Sequence, residues 1–570
     1  MKHGRIILTW ALTAAMCVGL MSGCGGSTSS SSAKSSSSAA ASSSTATASS
    51  SAASATSDKI ARFQVSTVVD SMDVCLSNDG TSCNILAQCM MGLYTKDANG
   101  TPVLGVAKSV DKSADGLTYT FTLRDDAKWS NGDAVTAKDF VFEWQRLADP
   151  NTASAYQFFV QTACLLNADD VVDGKKAPSE LGVKAQDDKT LVVTLSSPCA
   201  VFESLMTSTC FMPVEQSFFD SCGATYATSP ATINCDGPFK VTAYEPSTMT
   251  IELVKNPNFY GASSVKLDGV EFQVILDSQT AALSYESGKL DQVVLTGNLI
   301  EQYSDDPAYS TRSDGYIWYI APNMDKQGLN NLNIREAMAK AFDKKAICES
   351  ILKDGSTPMD YYIPAGLASD SSGQDFRAAA GSSYDTWTYD VTAARELWQK
   401  GLQELGVTSL SYTLLCDDTE SCQAVAQFLQ SEWQKNLPGL TITLQVEPKK
   451  ARLADMQKGN FDIGLTRWGP DYADPMTDMD LWTSDSITNY SNFNDAEYDA
   501  TIKSAKSGTL ALDLNARWKA LIGCEKKLAS NCVLYPIYGQ SVATLTNAAL
   551  KGVQFYSIGA QYLFLNAQKN

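Results

Sequence analysis

Histidine is almost missing from this chain: among 570 residues the single one is His3. It falls in a segment that reads as a removed leader. The body therefore has no imidazole for a Ser/His/Asp or Cys/His nucleophile, nor for a His-ligated metal. No P-loop, G-x-S-x-G elbow or C-x-x-C pair is present either, which removes the common nucleotide, hydrolase and thioredoxin-type signatures. Positive charge is in short supply, with 44 Lys plus Arg against 63 Asp plus Glu and a net charge of −19. Nucleic acid and anionic membrane are poor partners for such a body. Hydrophobic residues at 44% and charged residues at 19% exclude a wholly disordered, collagen-like or multi-span membrane chain. Asp111, Ser113, Asp115 and Gly116 open like an EF-hand loop, but Thr122 stands where a bidentate Glu is needed, so a plain turn is expected. Ser109 and Lys112 form an S-x-x-K with neither companion motif. We expect no enzyme, no cofactor and no metal.

What is present begins with an export signal. Lys2 and Arg5 give a basic start, Ile6 to Leu20 an apolar stretch too short to span a bilayer, and Met21-Ser22-Gly23 a small-residue cleavage region. Cys24 follows at once, and Leu20 to Cys24 resembles a bacterial lipobox, which implies a diacylated Cys24 as the new N-terminus. Two acyl chains suffice for stable anchoring where one does not. Residues 25–58 are almost only Ser, Ala, Thr and Gly and cannot bury enough apolar surface to fold. As a flexible linker they span roughly 30 Å. A long spacer behind a lipobox fits a Gram-positive cell surface better than a periplasm. Cleavage removes two basic residues and no acidic ones, leaving 42 against 63, a net −21.

Of 15 cysteines, Cys17 leaves with the leader and Cys24 is the lipid site, which leaves thirteen. Export makes disulfides plausible, and the short separations Cys222/Cys235, Cys416/Cys422 and Cys524/Cys532 are the preferred pairs, although spacing alone does not fix connectivity.

Along the body, strands and helices alternate without an internal repeat, so α/β or α+β layers are expected. Leu117 to Leu123, Thr190 to Leu195, Thr250 to Val254 and Leu440 to Val446 read as strands. Helices are expected over Asn84 to Leu93, Ala137 to Leu147, Ile334 to Ala341, Val391 to Leu405 and Cys422 to Lys435. Thr136 can cap the second of these, and Asp139 sits in its first turn, where the helix dipole favours a carboxylate.

Four segments then carry a resemblance: YTFTLRDDAKWSNGDAVTAKDFVFEWQRLADPNTAS from Tyr119, DGKKAPSELGVKAQDDKTLVVTLSSP from Asp173, DGPFKVTAYEPSTMTIELVKNPNFYG from Asp236, and RWGPDYADPMTDMDLW from Arg467. From about Phe63 onward the chain resembles the extracellular solute-binding proteins of peptide ABC transporters, family 5, and within them the oligopeptide-binding branch. That resemblance implies an α/β, two-lobed, periplasmic-binding-protein-like type II fold with an extra inserted domain. It places the first lobe at 59–93, 213–316 and 543–570, the inserted domain at 94–212 and the second lobe at 317–542. It also implies closure around a short peptide, delivery to ABC permease subunits, and a monomer. Another small ligand is the main alternative, since relatives of this fold take up nickel, haem, opines or sugars or sense peptide pheromones. The lack of histidine weighs against the first two. A surface interaction protein without transport is a further alternative.

The same resemblance assigns residues. Asp471 matches the aspartate that receives the peptide ammonium, and Arg467 to Asp471 match the segment that pairs with the peptide backbone. Trp468 and Tyr472 would wall the cleft. Pro470 has no N–H, so pairing falls to Gly469 and Asp471 or to free carbonyls. On the opposite lobe Asn78-Asp79-Gly80 match a ligand-contacting loop, Gly80 being either a close-approach or an ordinary turn glycine. Tyr319 and Tyr538 match cleft aromatics. Cys422, Lys449 and Leu465 depart from the histidine, tryptophan and carboxylate-binding arginine of relatives. Arg467, two positions beyond Leu465 on the same strand face, is a candidate replacement for that arginine.

Overall fold

Two long strands, Tyr309–Pro322 and Tyr535–Thr546, run antiparallel and are shared by both halves of one 11-stranded sheet. The computed structural model describes residues 59–77, 79–244, 249–370 and 372–570. The leader, the lipobox with Cys24, the linker and Asn78 lie outside the described residues.

On one side of the shared strands, Gln292–Leu295 pairs with Leu545 and its neighbours, followed by Ile60–Val65, Gly269–Val274, Thr250–Lys255 and Phe239–Ala243. Ile60–Val65 is parallel to Gly269–Val274, whereas the last two pairings are antiparallel. On the other side, Ile463–Trp468 pairs antiparallel with Ile317 to Pro322, then Leu410–Asp417 and Leu440–Glu447 follow in parallel. Such parallel strands need helical crossovers. Glu420–Asn436 and Lys449–Gln457 supply them. The two sides are the two lobes, each with its own covering helices and both fed by the same pair of strands.

The shared pairing is interrupted between the lobes. Tyr309 to Ser313 pairs with Leu545 to Ser541, and the register resumes only at Ile317, opposite Gly539. Gly315 sits in this break at φ +82°, and a Cβ there would lie 2.0 Å from the Ser557 carbonyl oxygen. Only glycine fits that backbone and that approach.

A separate antiparallel sheet, Ala107–Lys112, Thr118–Leu123, Thr190–Thr194 and Val183–Ala185, is inserted before the first lobe resumes. Its hairpin turn holds Ser113, Asp115 and Gly116, with Asp115 accepting from the Ser113 hydroxyl and the Leu117 amide, so the EF-hand-like run is the expected turn. Strand Thr118–Leu123 buries every second residue, as its alternation requires. Helix Ala137–Ala148 packs on this sheet, with Trp144 fully buried and its indole bonded to the Phe211 carbonyl at 3.0 Å. Thr136 is its N-cap, as expected, in a capping box with Asp139, and the Thr136 amide donates to the Asp139 carboxylate at 2.8 Å. The Asp139 carboxyl, also bonded to Trp129, is pushed up to about 6 by burial.

Most expected elements are present with shifted ends. The first expected helix is displaced most, running Gly80–Cys89, because Asp79 caps it by accepting from the Ser82 amide at 2.9 Å. Beyond its end Gly92 is confined, since a Cβ would meet the Met206 and Tyr94 carbonyl oxygens at 3.1 Å.

Candidate functional site

The strand Ile463–Trp468 ends in the turn Gly469-Pro470-Asp471-Tyr472-Ala473-Asp474, which lies against the first lobe and the inserted domain. Two aspartates in this turn have opposite surroundings. Asp474 is held by Arg517 through two bonds of 2.7 Å and accepts from the Met476 amide, which fixes the turn to the helix Leu514–Ser530. Among the described residues the Asp471 carboxylate meets no cation and no hydrogen-bond donor. Only its amide is engaged, donating to the Thr477 hydroxyl at 3.0 Å. Surrounding protein mass, with no opposing charge, pushes the Asp471 carboxyl up to about 7.

Asp471 faces three parts of the molecule. Its charge raises the thiol of Cys83 on the first-lobe helix, the phenol of Tyr156 in the inserted domain and that of Tyr316 beside the interrupted strand, although burial is the larger cause in each. Cys83 also feels Asp79, so the loop before Gly80 and the turn at Asp471 flank one cleft. The Asp79 carboxylate spends one oxygen on its helix cap, and the other is buried without a partner. The turn touches the segment that follows the inserted sheet, where the Ala473 amide donates to the Ser204 hydroxyl at 3.2 Å. Asp478 lies behind Asp471, fully buried with neither oxygen bonded, and burial first and Asp471 next push its carboxyl well up.

Arg467 is half-buried, its guanidinium stacked 4.4 Å over Tyr316 and 5.4 Å from the Trp318 ring. It donates at 2.7 Å to the Gln540 side-chain oxygen and forms no ion pair with a described residue, so the rim salt bridge that its position suggests is not formed. Leu465, two residues back, is fully buried. Thr466 between them faces the other way and accepts from Arg452, which is paired with Asp417. Lys449 reaches solvent but has no hydrogen-bonded or ionic partner among the described residues, and burial followed by the Arg467 cation lowers its ammonium.

The remaining expected residues divide. Trp468 is half-buried with an unpartnered indole N–H, and a Cβ on Gly469 would strike the Tyr316 ring at 2.7 Å, so that glycine is required by packing. Tyr472 is buried. Gly80 is the first helical residue, and a Cβ there would meet nothing within 4 Å. Tyr319 and Tyr538 lie in the core: Tyr319 meets Tyr362 and Trp482 edge-on, and Tyr538 stacks on Trp318. Sequence reasoning missed Tyr156, Cys83, Tyr316 and Gln540, and nothing in their local pattern separates them from packing residues.

The thirteen described cysteines are free thiols in the structure. Cys416 and Cys422 are brought together, each thiol acting on the other. Cys235 meets Cys89 instead of Cys222, because the amide of Gly237 binds the Cys89 carbonyl and draws the segment onto that helix end. Cys524 and Cys532 answer to different groups, the former to Lys527 and Asp495, the latter to Arg335 and Glu336.

Residues 101–490 match the model of the bacterial extracellular solute-binding proteins, family 5 (middle region). The dipeptide-binding protein of Lactococcus lactis subsp. cremoris is 36% identical over 524 residues, covering 89% of this chain and 94% of that protein. Listeria monocytogenes OppA, solved bound to peptide, superposes with a TM-score of 0.77 at 33% identity, over 90% of this chain and 99% of that one. The pheromone receptor PrgZ superposes with a TM-score of 0.78 at 30% identity, over 90% of this chain and all of its own.

Proposed function

This chain belongs to the bacterial extracellular solute-binding proteins of family 5, and from that premise we propose that it captures short peptides between its lobes and delivers them to the permease subunits of an ABC importer. The observation that carries this reading is the Asp471 carboxylate, half-buried in the turn with no cation of the described residues beside it. Burying such a group costs free energy unless a positive partner arrives with it. A peptide ammonium is that partner, so closure is unfavourable when the cleft is empty and favourable when it is filled. The aromatic faces of Tyr156, Tyr316 and Trp468 suit side chains of many shapes, Asp79 and Gly80 approach from the other lobe, and Asn78, outside the described residues, is placed with them by the family resemblance. Tyr319, Tyr538 and Tyr472 support this wall from behind. No covalent chemistry belongs to this reading.

Around that core we place the first lobe at 59–93, 213–316 and 543–570, the inserted domain at 94–212 and the second lobe at 317–542. The molecule acts as a monomer, tethered outside the cell membrane of a Gram-positive cell through Cys24. Among the described residues no helix is long and apolar enough to cross a membrane. Mass spectrometry of material released by acid from the purified protein tests the reading: a family of short peptides supports it, and a single non-peptide metabolite overturns it. The likeness to a pheromone receptor favours one second reading, in which the captured peptide is a signal. One defined peptide in place of a mixed family would select it.

A further inference from the structure

Among the described residues three pairs of thiols meet. Two, Cys89 with Cys235 and Cys416 with Cys422, are sealed in the core at 1% exposure or less. The third, Cys164 with Cys199, stands in the inserted domain at its contact with the second lobe. There the Cys164 thiol donates to the Thr162 carbonyl oxygen at 3.7 Å, and the Cys199 thiol donates to that same oxygen at 3.4 Å. Two sulfurs converging on one acceptor are held side by side. The backbone keeps them there: the Ser196 amide binds the Cys164 carbonyl at 2.8 Å, Leu165 bridges Leu195, and Cys164 itself adopts φ +55°.

The pair is not sealed as the other two are. Cys164 and Cys199 keep 5% and 6% exposure, and the groups acting on them across the contact belong to the second lobe. Lys506 acts on Cys164, while Asp474 acts on Cys199 and Arg517 feels Cys199 in turn. Asp169, on the pair's own side, opposes Lys506 at Cys164. The Ala473–Ser204 hydrogen bond closes over the same region, so separating the lobes uncovers it. Cys199 as hydrogen-bonding neighbour, then Ser197 and after it Lys506, hold the Cys164 thiol down to about 7, against burial. Cys199 is pushed well up, with Cys164 itself the first cause. An attacking thiolate beside a protonated resolving thiol is the arrangement of a reactive dithiol.

We propose that Cys164 and Cys199 form a redox-active dithiol that exchanges with low-molecular-weight disulfides, such as oxidised glutathione, at the face covered by lobe closure. The Cys164 thiolate attacks one sulfur of the external disulfide, breaking its S–S bond and releasing one thiolate. That thiolate takes the Cys199 proton. Cys199 sulfur then attacks Cys164 sulfur in the mixed disulfide and expels the second small thiolate, which takes up the proton that Cys164 gave to solvent. The protein loses two protons and two electrons, and the external disulfide takes them up to become two thiols.

The test uses the purified, reduced, ligand-free full chain treated with oxidised glutathione, then alkylated under denaturing conditions and mapped by mass spectrometry. The expected product is a linked pair of peptides carrying Cys164 and Cys199, lighter by two hydrogens, while Cys89 and Cys235 remain alkylatable. In Cys199→Ser, a glutathionyl adduct should persist on Cys164. Cys164 and Cys199 both alkylated as fully after oxidation as before would overturn the proposal. A second measurement needs no variant: the rate of iodoacetamide labelling of Cys164 in the native protein should rise with a midpoint near pH 7, and a midpoint in the ordinary thiol range above 8 would overturn the assignment of Cys164 as the attacking group.

Discussion

The guanidinium of Arg467 and the side-chain oxygen of Gln540 meet at 2.7 Å, joining the end of a second-lobe strand to the shared strand beside its register break. Gln540 also accepts from the Trp318 indole at 2.6 Å and donates to the Asp314 carboxylate at 2.8 Å. Burial pushes that carboxyl up to about 6. Arg467 thus spends one N–H on the crossing between lobes and has no other hydrogen-bonded partner among the described residues, while nearby Lys449 has no described counter-ion.

The first prediction separates the two uses of Arg467. A planar guanidinium can hold a peptide carboxylate through two bonds. An arginine that only braces the crossing does not distinguish one ligand from another. Arg467→Ala is expected to weaken a free-acid tri- or tetrapeptide by more than about tenfold, roughly 1.4 kcal/mol, while scarcely changing the same peptide with a C-terminal amide. Titration calorimetry on both ligands reads this. Equal losses would assign Arg467 to the crossing alone.

The second prediction concerns the ammonium. Removing one partner of a buried, hydrogen-bonded charge pair typically costs about 3 to 5 kcal/mol. Asp471→Ala and N-acetylation of the peptide should therefore each lower affinity by a factor of about a hundred or more, and the two changes together should add little further. Equal binding of acetylated and free peptides would remove Asp471 from this role.

How far the sequence carries these conclusions depends on the range over which each interaction acts. Helix Ala137–Ala148 and strand Thr118–Leu123 were legible because caps and alternation are local. The shared strands were not. Tyr309–Pro322 is exposed along one half and buried along the other, so no single period marks it. The Cys222–Cys235 pairing failed for a related reason, whereas Cys416 and Cys422 do meet: Cys235 meets Cys89 across the fold, and short spacing carries no information about that contact. Asp471 could be singled out only through resemblance, since DYADP by itself reads as a turn. Its lack of a cation, beside an Asp474 that has one, is visible only when Arg517 is folded against the turn.

The third prediction lies outside the described residues and rests on Leu20 to Cys24. Cys24→Ser removes the sulfur that would carry the lipid, and without two acyl chains an acidic body has no strong attraction to an anionic surface. The variant should appear in the medium or soluble fraction after cell fractionation. A variant as firmly membrane-associated as the parent would refute anchoring through this cysteine.

The fourth prediction follows from the Asp471 carboxyl standing at about 7 in place of 3.8. An acid with a raised value binds more protons folded than unfolded between these limits, so the stability of the empty closed form falls as pH rises from about 4 to 7. Ligand binding has the opposite dependence. A peptide ammonium needs the ionised carboxylate, so below pH 7 each binding event must displace the Asp471 proton, and affinity should fall up to about tenfold per pH unit as the solution is acidified. Above about pH 8 the α-amino group itself loses its charge, and affinity falls again. The optimum therefore lies between pH 7 and 8. Two other raised carboxyls lie near: Asp478, pushed well up by burial, and Asp314, pushed up to about 6, which faces Gln540 instead of the turn. Calorimetry at pH 5.5 in two buffers of different ionisation enthalpy should show release of about one proton per peptide bound, and Asp471→Asn should abolish it. If the Asn variant still released the proton, the titrating group would be Asp314 and the coupling would run through the crossing strands instead of through the ammonium site.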